Sequence, residues 1–367
     1  SATTAIDLRG GQARTLRDQR YTGAIRLDSS VNATTLSGRD ITFSGGGSTI
    51  DGLKPGEEQL TVTGTRVVRV DGAVGLVGAL SGLALSATSR IDLNAGSVVT
   101  TLDQRYTGAV RLDSSSDATT LTGRDLFFEG PTSTITGALP DSERLTLSSS
   151  RVARFDAAVT ALRSLAVVAM TRIDLNAGTV TTLEDQAYSG AVRVDSAGGL
   201  TKLAGRDLRW TATLAGGTVA HRLSITGREI DFAGGPATVS NLAQLSLGGG
   251  SGATAILLGG AADLGVNTLD ITTTDLAALA TSVSLLTVGG TGPAGLLPIG
   301  VEAVAFPQSL ELRAPGAQVT LRGNLSVAGD LLVEGPLRLE TPGNSTTVTA
   351  HLVQFQGTVK GGDPAGR

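Results

Sequence analysis

Apolar and polar residues alternate along this chain in short runs. "AIDLRG" (5–10), "GAIRLDS" (23–29), "ATTLSG" (33–38), "DITFSG" (40–45), "QLTVTG" (59–64) and "RVVRVDG" (66–72) place an apolar side chain at every second position. Each run stops at Gly, Asp or Ser. Period two is the pattern of strands with one face buried. The runs are too short and too often interrupted for any one of them to bury its apolar face alone.

A longer period lies over the short one. "LRDQRYTGAIRLDSSVNATTLSGRD" (16–40), "LDQRYTGAVRLDSSSDATTLTGRD" (102–125) and "LEDQAYSGAVRVDSAGGLTKLAGRD" (183–207) are copies of one another. The copies open at Ile6, Ile91 and Ile173, so the second step is slightly shorter than the first. Tyr21, Tyr106 and Tyr188 recur two positions before Gly23, Gly108 and Gly190. The connecting segments 60–74 and 145–159 also match without a gap. Residues 1–210 therefore read as three long repeats. Residues 211–367 continue the strand beat divergently, with an irregular stretch around 263–306 in which "DLAALATSVSLL" also fits one short helix.

These two periods predict an all-β, right-handed parallel β-helix, a β-solenoid forming a single elongated rod. Four turns of roughly twenty residues fit each long repeat, and the whole chain then makes roughly eighteen turns. At about 4.8 Å per turn the rod is roughly 80–90 Å long. Stacked turns share one aliphatic core, and backbone groups pair with the turns above and below. Parallel strands in one sheet make right-handed winding the default. Neither end shows a capping helix, so the sequence reads as a slice of a longer chain or as a unit that stacks end to end.

Composition narrows the class. Fifty glycines among 367 residues supply corners, and 3% aromatic residues suit a narrow aliphatic interior. No cysteine is present, which removes disulfides, thiolate metal sites and cysteine nucleophiles. Net charge is −4 from 29 basic and 33 acidic residues, so neither a nucleic-acid surface nor a polybasic membrane patch is indicated. Ser1-Ala2-Thr3-Thr4 has no signal-peptide pattern, and no stretch is long and apolar enough for a spanning helix.

The phrases "GTVTT", "QAYSGAVRV" and "TTLTGRDLFFEG", followed by "LTV" and "GAVG", resemble the central repeats of bacterial filamentous-haemagglutinin-type proteins, adhesins exported by two-partner secretion. The resemblance covers roughly residues 6–208. It implies a right-handed parallel β-helix at the bacterial cell surface or in the extracellular space. It also implies passage through an outer-membrane transporter and a stalk function that names no receptor.

The residues that carry chemistry are few. His221 and His351 stand far apart in the chain, several turns from each other in a rod, too distant to share a metal or a triad. No catalytic, cofactor-binding or metal site is expected, and no cofactor. Arg26/Asp28, Arg111/Asp113 and Arg193/Asp195 are spaced i, i+2 and fall on the solvated strand face. A sugar-degrading solenoid clusters carboxylates there, but three even copies read as surface charge that discourages sideways sheet pairing. Arg39/Asp40, Arg124/Asp125 and Arg206/Asp207 follow glycine and read as corners turned by Asp. The three tyrosines read as core or corner plugs with their hydroxyls at the rim. Trp210 ends the third copy, and Asn32, Asn324 and Asn344 lie in N-x-S/T sequons.

The expectation is a non-enzymatic structural or adhesive stalk of a surface or secreted exoprotein. Its partners are a host or neighbouring-cell surface, glycan or matrix, with no nucleic acid. The alternatives are a self-assembling extracellular filament built by end-to-end self-association, and a polysaccharide-acting β-helix enzyme.

Overall fold

The alternating runs become parallel strands whose inward residues stand directly on one another. In the first column Ile6 lies on Ile25, then Ile50, Val74, Val98, Leu121, Leu147 and Val167. A second column runs Ala13, Leu36, Val62, Leu85, Tyr106, Phe128, Phe155 and Leu175. The third runs Gln19, Ile41, Val68, Ile91, Val110, Ile135, Val159 and Val180. The chain visits the first, second and third column in turn and then returns to the first. Three columns, each with eight members, make eight turns between Ile6 and Val180.

This computed structural model describes residues 5–29, 31, 33–45, 47–260, 267–290, 296–340 and 345–361. Ser1-Ala2-Thr3-Thr4 and the sequons at Asn32 and Asn344 lie outside the described residues. The chain is 58% strand and 2% helix, a parallel β-solenoid of about fifteen turns. It divides into two compact units, residues 1–183 with 188–191, and residues 184–187 with 192–367. No helix among the described residues is long and apolar enough to cross a membrane.

The turn length expected from the strand beat is too short, which is why eighteen turns become about fifteen. Successive second-column steps are uneven. Phe155 to Leu175 is a short step, whereas Leu36 to Val62 and Phe128 to Phe155 are longer. Most of the excess sits in the corner loops, such as 53–58 and 138–143, which the period-two count does not see.

The long repeat is also not a whole number of turns. From Ile6 to Ile91 the chain lays down eleven strand segments at three per turn, or three and two-thirds turns. From Ile91 to Ile173 it lays down eleven again. Ile6 therefore stands in the first column, Ile91 in the third, and Ile173, stacked on Ala153 beside Phe155 and Leu175, in the second. Each copy is rotated by one face relative to the last.

The second unit keeps the same ladder logic. Thr201, Leu223, Leu245, Leu286, Leu310, Leu331 and Val353 form one of its columns. The step from Leu245 to Leu286 is nearly twice the length of its neighbours, and the irregular stretch accounts for it. There the strand Ala255–Leu258 pairs with both Thr268–Ile271 and Ile299–Val301. The helix Thr273–Ala277 is a single short turn, and the "VSLL" of the helix-like segment belongs to the strand Val283–Gly289. Thr272 and Asp275 form a capping box, and the buried Asp275 carboxylate also accepts from the Phe232 N–H at 2.8 Å.

Because matched copies have interchangeable neighbours, removing residues 91–172 joins Arg90 to Ile173 without disturbing any stacking register. That deletion variant should stay folded, with an unchanged strand signature per residue in far-UV circular dichroism and one cooperative melt. Loss of the β signature would refute the rotated-repeat register.

Candidate functional site

The repeated charged residues form ladders from turn to turn. Arg39 binds Asp18 of the preceding turn through two bonds of 2.8 Å, and Arg124 binds Asp103 at 2.9 Å. Arg206 reaches Asp185 at 2.8 Å. The aspartate of each "GRD" then serves the following turn. Asp40 pairs with Arg66 and accepts from the Val67 N–H at 3.2 Å, and Asp125 accepts from the Val152 N–H at 3.1 Å. Asp207 pairs with Arg228. The Arg39 bonds hold Asp18 below the usual carboxylate range, and the Arg66 bonds do the same for Asp40.

The geometry keeps "GRD" at a corner, between Leu36 and Ile41 in the first copy and between Leu121 and Leu126 in the second, but corrects the part expected for Asp. In the first two copies the motif is not a turn closed by Asp. It lies inside one bent strand, Ala33–Ser44 or Ala118–Phe128, where the register slips between Gly38 and Asp40 and between Gly123 and Asp125. Glycine is needed because the previous turn passes close by. A Cβ on Gly38 would lie 2.8 Å from the Arg17 carbonyl oxygen, and one on Gly123 would lie 2.8 Å from Thr100 Oγ1.

The i, i+2 pairs are solvent-facing, with Arg26, Asp113 and Arg193 exposed. In the first two copies, however, the arginine finds its main partner on the neighbouring turn. Arg26 bonds Asp7 at 2.8 Å, and Arg111 lies 3.0 Å from Asp92. In the third copy Arg193 keeps Asp195, at 2.7 Å. Arg90 approaches the same Asp92 Oδ1 at 2.7 Å, and this outward aspartate is only 2% exposed. Alternation alone places it in water, and two guanidinium groups bury it.

Buried polar groups form the second repeated element, which the strand pattern conceals. Gln104 is fully buried, and its amide donates to the Thr122 carbonyl at 2.8 Å and contacts Thr100 Oγ1 at 3.3 Å. Tyr106 donates its hydroxyl to Gln104 Oε1 at 2.8 Å. Gln19 and Tyr21 repeat the arrangement toward Ser37 and Thr15, and Gln186 donates to the Ala204 carbonyl at 2.7 Å. The tyrosines are core plugs. Tyr21 stacks on Phe43, and Tyr106 on Phe128, which stacks on Phe155. Burial pushes the Tyr106 and Tyr188 hydroxyls well above their ordinary pKa. These two hydroxyls do not reach the rim as expected. The repeated "DQ" before each tyrosine is the sequence signal for this network.

Glu58 and Glu143 are also buried at matched positions. Glu143 accepts from the Ser114 N–H at 2.9 Å and contacts Ser114 Oγ at 3.3 Å. Burial raises its pKa against these bonds, and Asp117 and Asp113 add to the rise. His221 replaces the glutamate in the third copy and meets Thr201 Oγ1 at 3.0 Å, with burial lowering its pKa. His351 is exposed and pairs with Asp330 at 2.8 Å. Trp210 is buried against Phe232, and Asn324 Oδ1 accepts from the Thr347 N–H. No group of three or more His, Cys, Asp or Glu among the described residues is placed to hold a metal ion.

Comparison with protein-family models, with curated proteins and with solved structures gives no match.

Gln104→Ala removes the second bond to the Thr122 carbonyl, which keeps the Thr100 N–H, and takes the acceptor from the buried Tyr106 hydroxyl, so it should cost about 2–3 kcal/mol. Arg124→Ala, at a half-exposed pair, should cost under about 1 kcal/mol. Denaturant melts giving the reverse order would show that the exposed ladders, not the buried amides, hold the turns. Glu143→Gln keeps both contacts to Ser114. A glutamate whose pKa is raised on folding contributes most below its unfolded pKa, and that contribution is lost as pH rises through the folded value. The variant should therefore melt about 2 °C higher at pH 8 and no higher at pH 4.

Proposed function

We propose that this chain is a non-enzymatic spacer: a right-handed β-helix stalk of a bacterial surface or secreted exoprotein that holds an adhesive region away from the cell. One observation carries the reading. The polar side chains that recur in the copies, from Asp18–Arg39 and Asp103–Arg124 to the buried glutamines, face the neighbouring turn and join turn to turn. A repeat whose polar residues bind its own neighbours fits an element selected for length and stiffness. The resemblance to filamentous-haemagglutinin-type repeats supports extracellular placement and export through an outer-membrane transporter. A glycan, matrix or cell-surface partner then belongs to the region the stalk presents.

A spacer must lengthen with its repeats. Duplicating residues 91–172 adds three and two-thirds turns, and the maximum dimension in small-angle scattering should grow by about 18 Å. An unchanged dimension would sink the spacer reading. Reducing-sugar release from polysaccharide incubated with the purified chain would make it an enzyme instead. Concentration-dependent fibres in negative stain would favour the filament.

A further inference from the structure

The three copies share one buried corner and fill it differently. It follows the strands Ile50–Gly52, Ile135–Gly137 and Leu214–Gly216, and its last residue is Glu58, Glu143 or His221. Each of these side chains is at most 2% exposed. The residue after it stacks on Ala33, Ala118 or Leu200, so the three corners share one register.

The chemistry of the corner reverses in the third copy. Glu58 and Glu143 accept from the Ser29 and Ser114 N–H groups, at 3.4 and 2.9 Å. His221 Nε2 instead meets Thr201 Oγ1 at 3.0 Å. A hydroxyl serves a neutral ring as donor or as acceptor, but it brings no negative charge to a protonated one.

The surroundings favour the neutral ring. Arg222 follows directly in the chain, and its charge opposes a second cation. On the preceding turn Asp195 favours the charged ring, but it is bound to Arg193 at 2.7 Å. Lys202 of that turn is exposed on the outward face. Gly199 stands where Asp117 faces the glutamate of the second copy, so the third corner also lacks that carboxylate. The following turn brings Asn241 and the strand Leu242–Gly249, which carry no charge. Burial outweighs these charges and lowers the His221 pKa, as it raises that of Glu143. A histidine of this kind adds stability that is complete above its unfolded pKa and is lost as pH falls through the folded value. The matched glutamate behaves in the opposite sense.

The backbone ties this corner to both neighbouring turns. The Arg222 N–H donates to the Gly199 carbonyl at 2.9 Å, and the His221 carbonyl accepts from the Ala243 N–H at 2.8 Å. Val219, at the apex, is 69% exposed, so the segment has solvent to move into.

We propose that residues 217–222 form an acid-released latch, closed while the His221 imidazole is neutral and opening into solvent, with loss of both turn-to-turn bonds, when it takes a proton. Mild acid thus loosens this one corner while the matched corner of the second copy tightens. The inference goes beyond the spacer reading and stands without it, since it concerns one corner of one turn.

Hydrogen exchange read by mass spectrometry, with each rate divided by the intrinsic rate at that pH, tests it on the full chain. Peptides covering 217–222 and Ala243 should open about fivefold more often at pH 5 than at pH 8. Peptides covering 138–144 should not. His221→Gln, neutral at both values, should remove the difference. His221→Glu, which installs the residue of the other two copies, should reverse it. Should either variant unfold, NMR titration decides: His351→Gln leaves one imidazole signal, which should titrate below the ordinary value of about 6.5. Equal opening at both pH values overturns the proposal. So does acid opening that survives His221→Gln or that is as large at 138–144, and so does an imidazole that titrates at or above its ordinary value.

Discussion

Everything in this molecule depends on the parallel register between one turn and the next. A single turn of about twenty-three residues has too little apolar surface to fold, and both edges of its backbone are unpaired. Stacking supplies both needs together. Ile25 gains a neighbour above and below in Ile6 and Ile50, and the flanking backbone groups close their hydrogen bonds in the same step. A slip of one residue would turn every such side chain outward. The polar features can be understood as ways of holding that register.

Two devices hold it, and they act at different depths. At the surface, arginine–aspartate pairs span turns, as in Arg39–Asp18 and Arg111–Asp92. Each is individually weak because at least one partner is solvated. Inside, Gln19 and Gln104 add a second bond to carbonyls of the next turn, Ser37 and Thr122, which also accept the backbone N–H groups of Thr15 and Thr100 where the chain bends. These amides work in a low dielectric and have no water to replace a lost partner, so they discriminate sharply between the right register and a slipped one. Glu143 follows the same logic at a less favourable position, since its carboxylate caps Ser114 while burial works against its charge.

The repeat of three and two-thirds turns distributes these devices around the column. The clamp of the first copy lies on the edge between the second and third columns, and that of the second copy on the edge between the first and second. A repeat of whole turns would place every clamp on one edge and leave the others unsupported. The fractional repeat also prevents identical surface residues from lining up along one face.

Alternation and repetition in the chain determined the fold class, the parallel stacking and the three matched copies, because period two and long-range identity are properties of order alone. They also determined that Tyr21, Tyr106 and Tyr188 are packed residues. Tertiary structure decided the length of each turn, since corner loops such as 53–58 add chain without adding a strand. It decided that Asp92 is buried, because Arg90 and Arg111 cover an aspartate whose own place in the alternation points outward. It placed "GRD" inside a bent strand, because the close passage of the preceding turn, not the local sequence, sets the geometry at Gly38. A periodic sequence specifies which side chains point inward. Which turn each one meets is fixed only when the column closes on itself.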